Sequence, residues 1–169
     1  MLTVNSHNPY SKGAVTMVKN LFSLTPLATT IAAVSGEETF IKSGEFAYIT
    51  PSFMNNYRGG VKEETSETRM LGIELLAPAT FRQMFEPLAS DITKLAFTEN
   101  QIVDFIRQER KWMTRGGTTY FLFKYNNGIC VAAIFPSSLS FGVDIYTIDN
   151  KASWNHPQFK NCVVIPRRR

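Results

Sequence analysis

Hydrophobic positions in this chain recur with two periods, and the switch between them divides the sequence into recognisable parts. Ala14, Val15, Val18, Leu21 and Phe22 fall at helical spacing, which predicts a short first helix that Pro26 ends. Residues 30–34, 39–42 and 46–50 read as strands, separated by Ser35-Gly36 and Ser43-Gly44 as turns. Residues 55–68 are polar, with Gly59-Gly60 and the glutamates Glu63, Glu64 and Glu67, and mark a loop or module boundary. The length of 169 residues fits a single domain, with 1–66 and 67–169 as the two modules into which it would divide. Residues 70–76 read as a further strand.

Helical spacing then takes over. Pro78 suits the first turn of a helix, and Phe81, Met84, Phe85, Leu88, Ile92 and Leu95 follow on one face, with a kink expected at Pro87. Thr98-Glu99-Asn100-Gln101 has the form of a capping box, in which the first side chain and the fourth each bond the other's backbone N–H. Phe97 and Ile102 can form the accompanying hydrophobic staple. The helix it opens should run to about Thr114, stopped by Gly116-Gly117.

Beyond those glycines the period becomes two. Residues 118–125 and 129–135 flank Asn126-Asn127-Gly128, an arrangement that favours a hairpin because Asn-Gly accommodates positive φ. Residues 142–149 and 162–165 supply two more strands. The expected fold is α+β: a β-rich N-terminal part, two central helices, and a C-terminal antiparallel β-meander packed on them.

Charge adds an asymmetry that the pattern alone does not show. Residues 1–103 carry 8 basic and 10 acidic side chains, whereas 104–169 carry 10 basic and 4 acidic. Such a balance bears on partners rather than on fold, and favours an anionic one. In the helix after Thr98, Arg107, Lys111 and Arg115 line one side, a stripe able to track phosphates. Lys124 and the terminal Arg167, Arg168 and Arg169 extend the field. Phe121, Phe123 and Tyr125 alternate onto one face of the next strand, and Tyr120, Leu122 and Lys124 onto the other. Tyr120 or Tyr125 can stack a base wherever its face is exposed, packing in a core being the commoner use of such rings.

Catalytic signals are sparse. His7 and His156 are the only histidines, and Cys130 and Cys162 have no metal-ligand spacing, so neither a metal nor another cofactor is expected. Cys130 and His156 could pair as nucleophile and base, but Cys130 lies within an apolar run, where a thiol is inert. Two lone cysteines also suit a reducing, cytoplasmic setting. Asp149-Asn150-Lys151 has the triplet of a metal-dependent nuclease, without the upstream acid such a site needs. Glu109 falls in the middle of the apolar arc set by Ile102, Phe105, Ile106, Trp112 and Met113, so it is either half-buried with a partner or turned to a ligand. Glycine patterns for nucleotide phosphates and the Gly-x-Ser-x-Gly elbow are absent. No apolar run approaches the roughly 18–20 residues of a spanning helix, so no membrane is expected. Residues 17–34 are interrupted by Ser23, Thr25, Pro26, Thr29 and Thr30, and read as folded structure rather than a signal peptide.

Three short likenesses remain. Arg115-Gly116-Gly117 ahead of the aromatic strand resembles the signature of RNA-recognition motifs, with a different spacing and element order. His156-Pro157-Gln158-Phe159 resembles streptavidin-binding peptides, a practical warning for any assay on a streptavidin surface. The turns and strands at 36–40, 44–51 and 70–75, with the helix at 81–95, resemble the sensing domain of AraC-type regulators, although strands follow in place of a DNA-reading helix pair. The reading that best unites these features is a non-enzymatic protein binding nucleic acid or a nucleic-acid complex through its basic C-terminal half, as a phage or mobile-element accessory factor would. Two rivals stand beside it: an assembly or inhibitor protein working through protein contacts, as a homo-oligomer or on an anionic protein, and a small enzyme centred on Glu109 or on Cys130 with His156.

Overall fold

The computed structural model describes residues 21–154 and 160–167. The first predicted helix falls almost wholly outside them, as do His7, His156, Arg168 and Arg169. The fold is a mixed α/β arrangement on one seven-stranded sheet. In chain order the elements are β1 (Phe22–Ile31), β2 (Phe46–Ile49), α1 (Pro51–Asn55), β3 (Thr68–Leu75), α2 (Phe81–Phe85), two 3₁₀ turns (Glu86–Leu88 and Ile92–Leu95), α3 (Glu99–Gln108), α4 (Arg110–Met113), β4 (Thr119–Tyr125), β5 (Gly128–Pro136), β6 (Phe141–Thr147) and β7 (Cys162–Pro166).

Across the sheet the order is β1-β3-β7-β4-β5-β6-β2. Strands from before and after residue 66 therefore share one sheet, with β1 and β2 at opposite edges. β4, β5 and β6 form an antiparallel meander through the Asn126-Asn127 turn, where Asn126 takes φ 50°. β7 does not extend that meander. It returns to the far side of β4 and runs parallel to it, and β2 runs parallel to β6 at the opposite edge.

Two apolar layers cover the sheet. On one face Ile102, Val103, Phe105 and Ile106 of α3 are fully buried against Phe121, Phe123, Ile134, Val143 and Val164. On the other, Phe81, Met84 and Phe85 of α2 and Leu95 pack on Tyr120, Leu122, Val131 and Val163. β4 is thus apolar on both sides because both sides are covered, the composition expected of a central strand in a two-faced sheet.

Three local expectations differ from the fold. Pro26 does not end a helix: it sits inside β1, where the register breaks between Leu24 and Ala28. Proline lacks the ladder donor, and a bulge on an edge strand is where a sheet tolerates it. Residues 39–42 form a turn closed by Ser43 N–H donating to the Thr39 carbonyl, not a strand. The helix expected from Pro78 is short, opened by a second capping box at Thr80 and Gln83, and breaks into 3₁₀ turns at Pro87.

Candidate functional site

The capping box at Thr98 forms as expected, and it does more than start a helix. Thr98 Oγ1 accepts from Gln101 N–H at 3.3 Å, and Gln101 Oε1 accepts from Thr98 N–H at 3.0 Å. Between them, Glu99 and Asn100 are buried and turned to neighbouring loops. Asn100 Oδ1 accepts from the Gly36 N–H at 2.9 Å, and Glu99 accepts from the Phe40 N–H and the Tyr57 hydroxyl, both at 3.0 Å. Burial raises the Glu99 carboxyl above its ordinary pKa, outweighing the lowering effect of those two hydrogen bonds. Gly60 packs so close that a Cβ there would overlap the Glu99 carboxylate. This polar latch ties Gly36, Phe40 and Tyr57, on either side of β2, to the start of α3.

The predicted phosphate stripe lands beside the same loops. Arg107 donates to Glu45 at 3.0 Å and to Glu38 at 3.2 Å, and lies 3.6 Å from Asp104. Arg110 holds the other oxygen of Glu45 at 2.9 Å and lies over the Phe141 ring. Two arginines thus face three carboxylates, an excess of one negative charge. Lys124 pairs with Glu63 at 2.6 Å. Lys111 and Arg115 are exposed and have no ion pair among the described residues. Arg115 and Lys160 line a crevice of about 130 Å³ beside Trp112 and Gly116-Gly117, with Glu74 3.9 Å from Lys160. Arg167 is exposed at the end of β7.

The aromatic strand is core. Tyr120 is 3% exposed and its ring meets Phe81, so it has no free face for a base, a correction to that expectation. Tyr125 is half-buried, stacks on Tyr57 at 6.0 Å and donates its hydroxyl to the Asn56 carbonyl. Glu109 is half-buried at the joint of α3 and α4, where its carbonyl accepts from Trp112 and Met113. Burial pushes the Cys130 thiol above its usual pKa and that of Cys162 up to about 11. Among the described residues, no three His, Cys, Asp or Glu side chains gather as metal ligands.

A different constellation stands out at the β2 edge. Thr50 Oγ1 lies 3.2 Å from Asp144 Oδ1 and accepts from the Ile145 N–H at 2.9 Å, which fixes its position. Tyr48 and Tyr146 are near enough to the same carboxylate for its charge to act on both hydroxyls. Partial desolvation first, and then the charge of Asp144, raises both phenols, Tyr146 to about 12. Asp144 therefore has hydroxyl neighbours but no ion pair among the described residues. Tyr48 is 44% exposed and its ring meets Phe135, while Tyr146 continues the aromatic surface to Trp154 at 4.6 Å. Leu139, 93% exposed, caps the adjoining β5–β6 turn. Among the described residues no strand pairs with the outer edge of β2.

Sequence reading missed this group because Thr50 and Asp144 are 94 residues apart. The available signal was Asp144 and Tyr146 two apart in an otherwise apolar strand, which puts both on one face. Comparison of the chain with protein-family models, curated proteins and solved structures finds no match.

Proposed function

We propose that the chain is a non-enzymatic binding protein that works through protein contact at the β2 edge, where it receives an extended segment carrying a lysine or arginine. The observation that carries this reading is Asp144, a carboxylate with no ion pair among the described residues, near Tyr48 and Tyr146 and beside an edge strand that no described strand pairs on its outer side. An open strand edge recruits another strand through its free backbone groups. Aromatic rings around a carboxylate attract a cation both by charge and by the ring faces. Tyrosine is also among the residues on which binding energy concentrates at protein interfaces. Tyr48 and Leu139 supply the exposed apolar contacts.

The test is selection of random dodecapeptides on the full chain, immobilised without streptavidin, in parallel with Asp144→Asn. Enrichment of peptides with a basic residue among alternating apolar ones, lost on Asp144→Asn, supports the reading. Equal enrichment on both proteins, or peptides without a basic residue, refutes it.

A second reading keeps nucleic acid as partner, and one observation favours it: Lys111 and Arg115 are exposed and have no ion pair among the described residues. The stripe is then narrower than the sequence suggests, since Arg107 is engaged by Glu38 and Glu45. Fluorescence anisotropy with single-stranded and duplex oligonucleotides over a salt series tests it. Affinity falling linearly in log salt and lost on Lys111→Ala with Arg115→Ala supports it. Absence of binding at low salt ends it.

A further inference from the structure

A second site lies at the opposite side of the sheet. β3 and β7 are antiparallel, with Met70 opposite Pro166 and Leu71 opposite Ile165. The next pair in that register is Arg69 with Arg167, locked by Arg167 N–H donating to the Arg69 carbonyl at 2.7 Å. Like charges directly opposite on a sheet repel, and neither arginine has an ion pair among the described residues. On the same face, two residues inward, Leu71 and Ile165 are only half-buried. They floor a cavity of about 310 Å³ walled by Leu88 and Leu95, with Arg167 at its mouth. Arg69 and Arg167 also line the adjoining groove, with Ala28 and Thr30 of β1. Two carboxylates face these grooves. Asp91 is engaged by Thr93 and by Lys94, and Glu67 leaves the two arginines with one positive charge in excess.

We infer that this groove binds a free amphiphilic anion, its phosphate or carboxylate head between Arg69 and Arg167 and its apolar tail along Leu71 and Ile165. The head relieves the repulsion between the paired arginines and accepts the forked hydrogen bonds that guanidinium groups offer. The tail covers apolar surface that the described residues leave half open, in a cavity at the lower end of the usual ligand size.

The experiment is calorimetric titration of the full chain with octyl phosphate below its critical micelle concentration, against inorganic phosphate and octanol. Octyl phosphate is expected to saturate at one site and to bind at least about tenfold more tightly than either control, as loss of one charge-assisted contact or of the tail predicts. Arg69→Gln and Arg167→Gln should each weaken it about tenfold without lowering the thermal midpoint, because each removes a like-charge contact. Equal binding of inorganic phosphate, equal binding of octanol, or unaltered affinity in both arginine variants overturns the inference. So does binding of phosphatidylglycerol vesicles without binding of monomeric octyl phosphate.

Discussion

Replacement of Glu99 separates two roles that a buried carboxylate can have. Its side chain is 3% exposed in the residue as a whole, holds the Phe40 N–H and the Tyr57 hydroxyl, and has no ion pair among the described residues. Glu99→Ala strands the buried Phe40 N–H and leaves a void, a loss of about 2–4 kcal/mol. Glu99→Gln keeps an acceptor for Phe40 and an amide donor for the Tyr57 oxygen, and removes the buried charge, so its cost is below about 1 kcal/mol.

The pH dependence follows from the raised carboxyl. A carboxyl that titrates higher in the folded than in the unfolded chain favours folding while it is protonated. That contribution is fully present below the unfolded pKa and is lost as pH rises through the folded one. Each unit of difference is worth about 1.4 kcal/mol. Urea unfolding of wild type and Glu99→Gln from pH 4 to pH 8 measures it. Relative to the glutamine variant, wild type should lose stability with rising pH and level off above the folded pKa. If the difference between the two proteins is flat across that range, or if Glu99→Gln is as damaging as Glu99→Ala, Glu99 is not a buried latch held against the cost of its charge.

Three further outcomes are expected. Arg107→Ala should cost less than about 1 kcal/mol in thermal or urea unfolding, and less still at high salt, because Arg107 and Glu38 are open to screening solvent and half-buried Glu45 keeps Arg110. Gly117→Ala should cost about 2–4 kcal/mol by the same assay, since a Cβ there overlaps the Lys160 carbonyl, which is backbone and cannot swing aside. Native protein at pH 8 should react slowly with a thiol reagent at both Cys130 and Cys162, and both should titrate quickly in urea, because burial raises each thiol in the folded chain.

Features written in neighbouring residues were legible in the sequence. The Thr98–Gln101 capping box, the Asn126-Asn127-Gly128 hairpin and the alternation along β4 each depend on side chains a few positions apart. What joins distant segments was not. Arg107 lies on the predicted helix side, yet its charge is taken by Glu38 and Glu45, 69 and 62 residues earlier. The aromatic face of β4 has the composition of a stacking platform, but a layer on each side of the sheet turns it into core. Pro26 argues against a strand until a register break at an edge makes room for it. The group around Asp144 exists because β2 pairs with β6, across nearly a hundred residues of chain.

The proposed protein contact turns on whether Asp144 receives a cation from a partner segment at the β2 edge. A double-mutant cycle tests it most directly, pairing Asp144→Asn with neutralisation of the basic residue in the tightest selected peptide. A coupling of at least about 1.5 kcal/mol is expected, as for close charge pairs across interfaces. Additive losses, with coupling below about 0.5 kcal/mol, would contradict it.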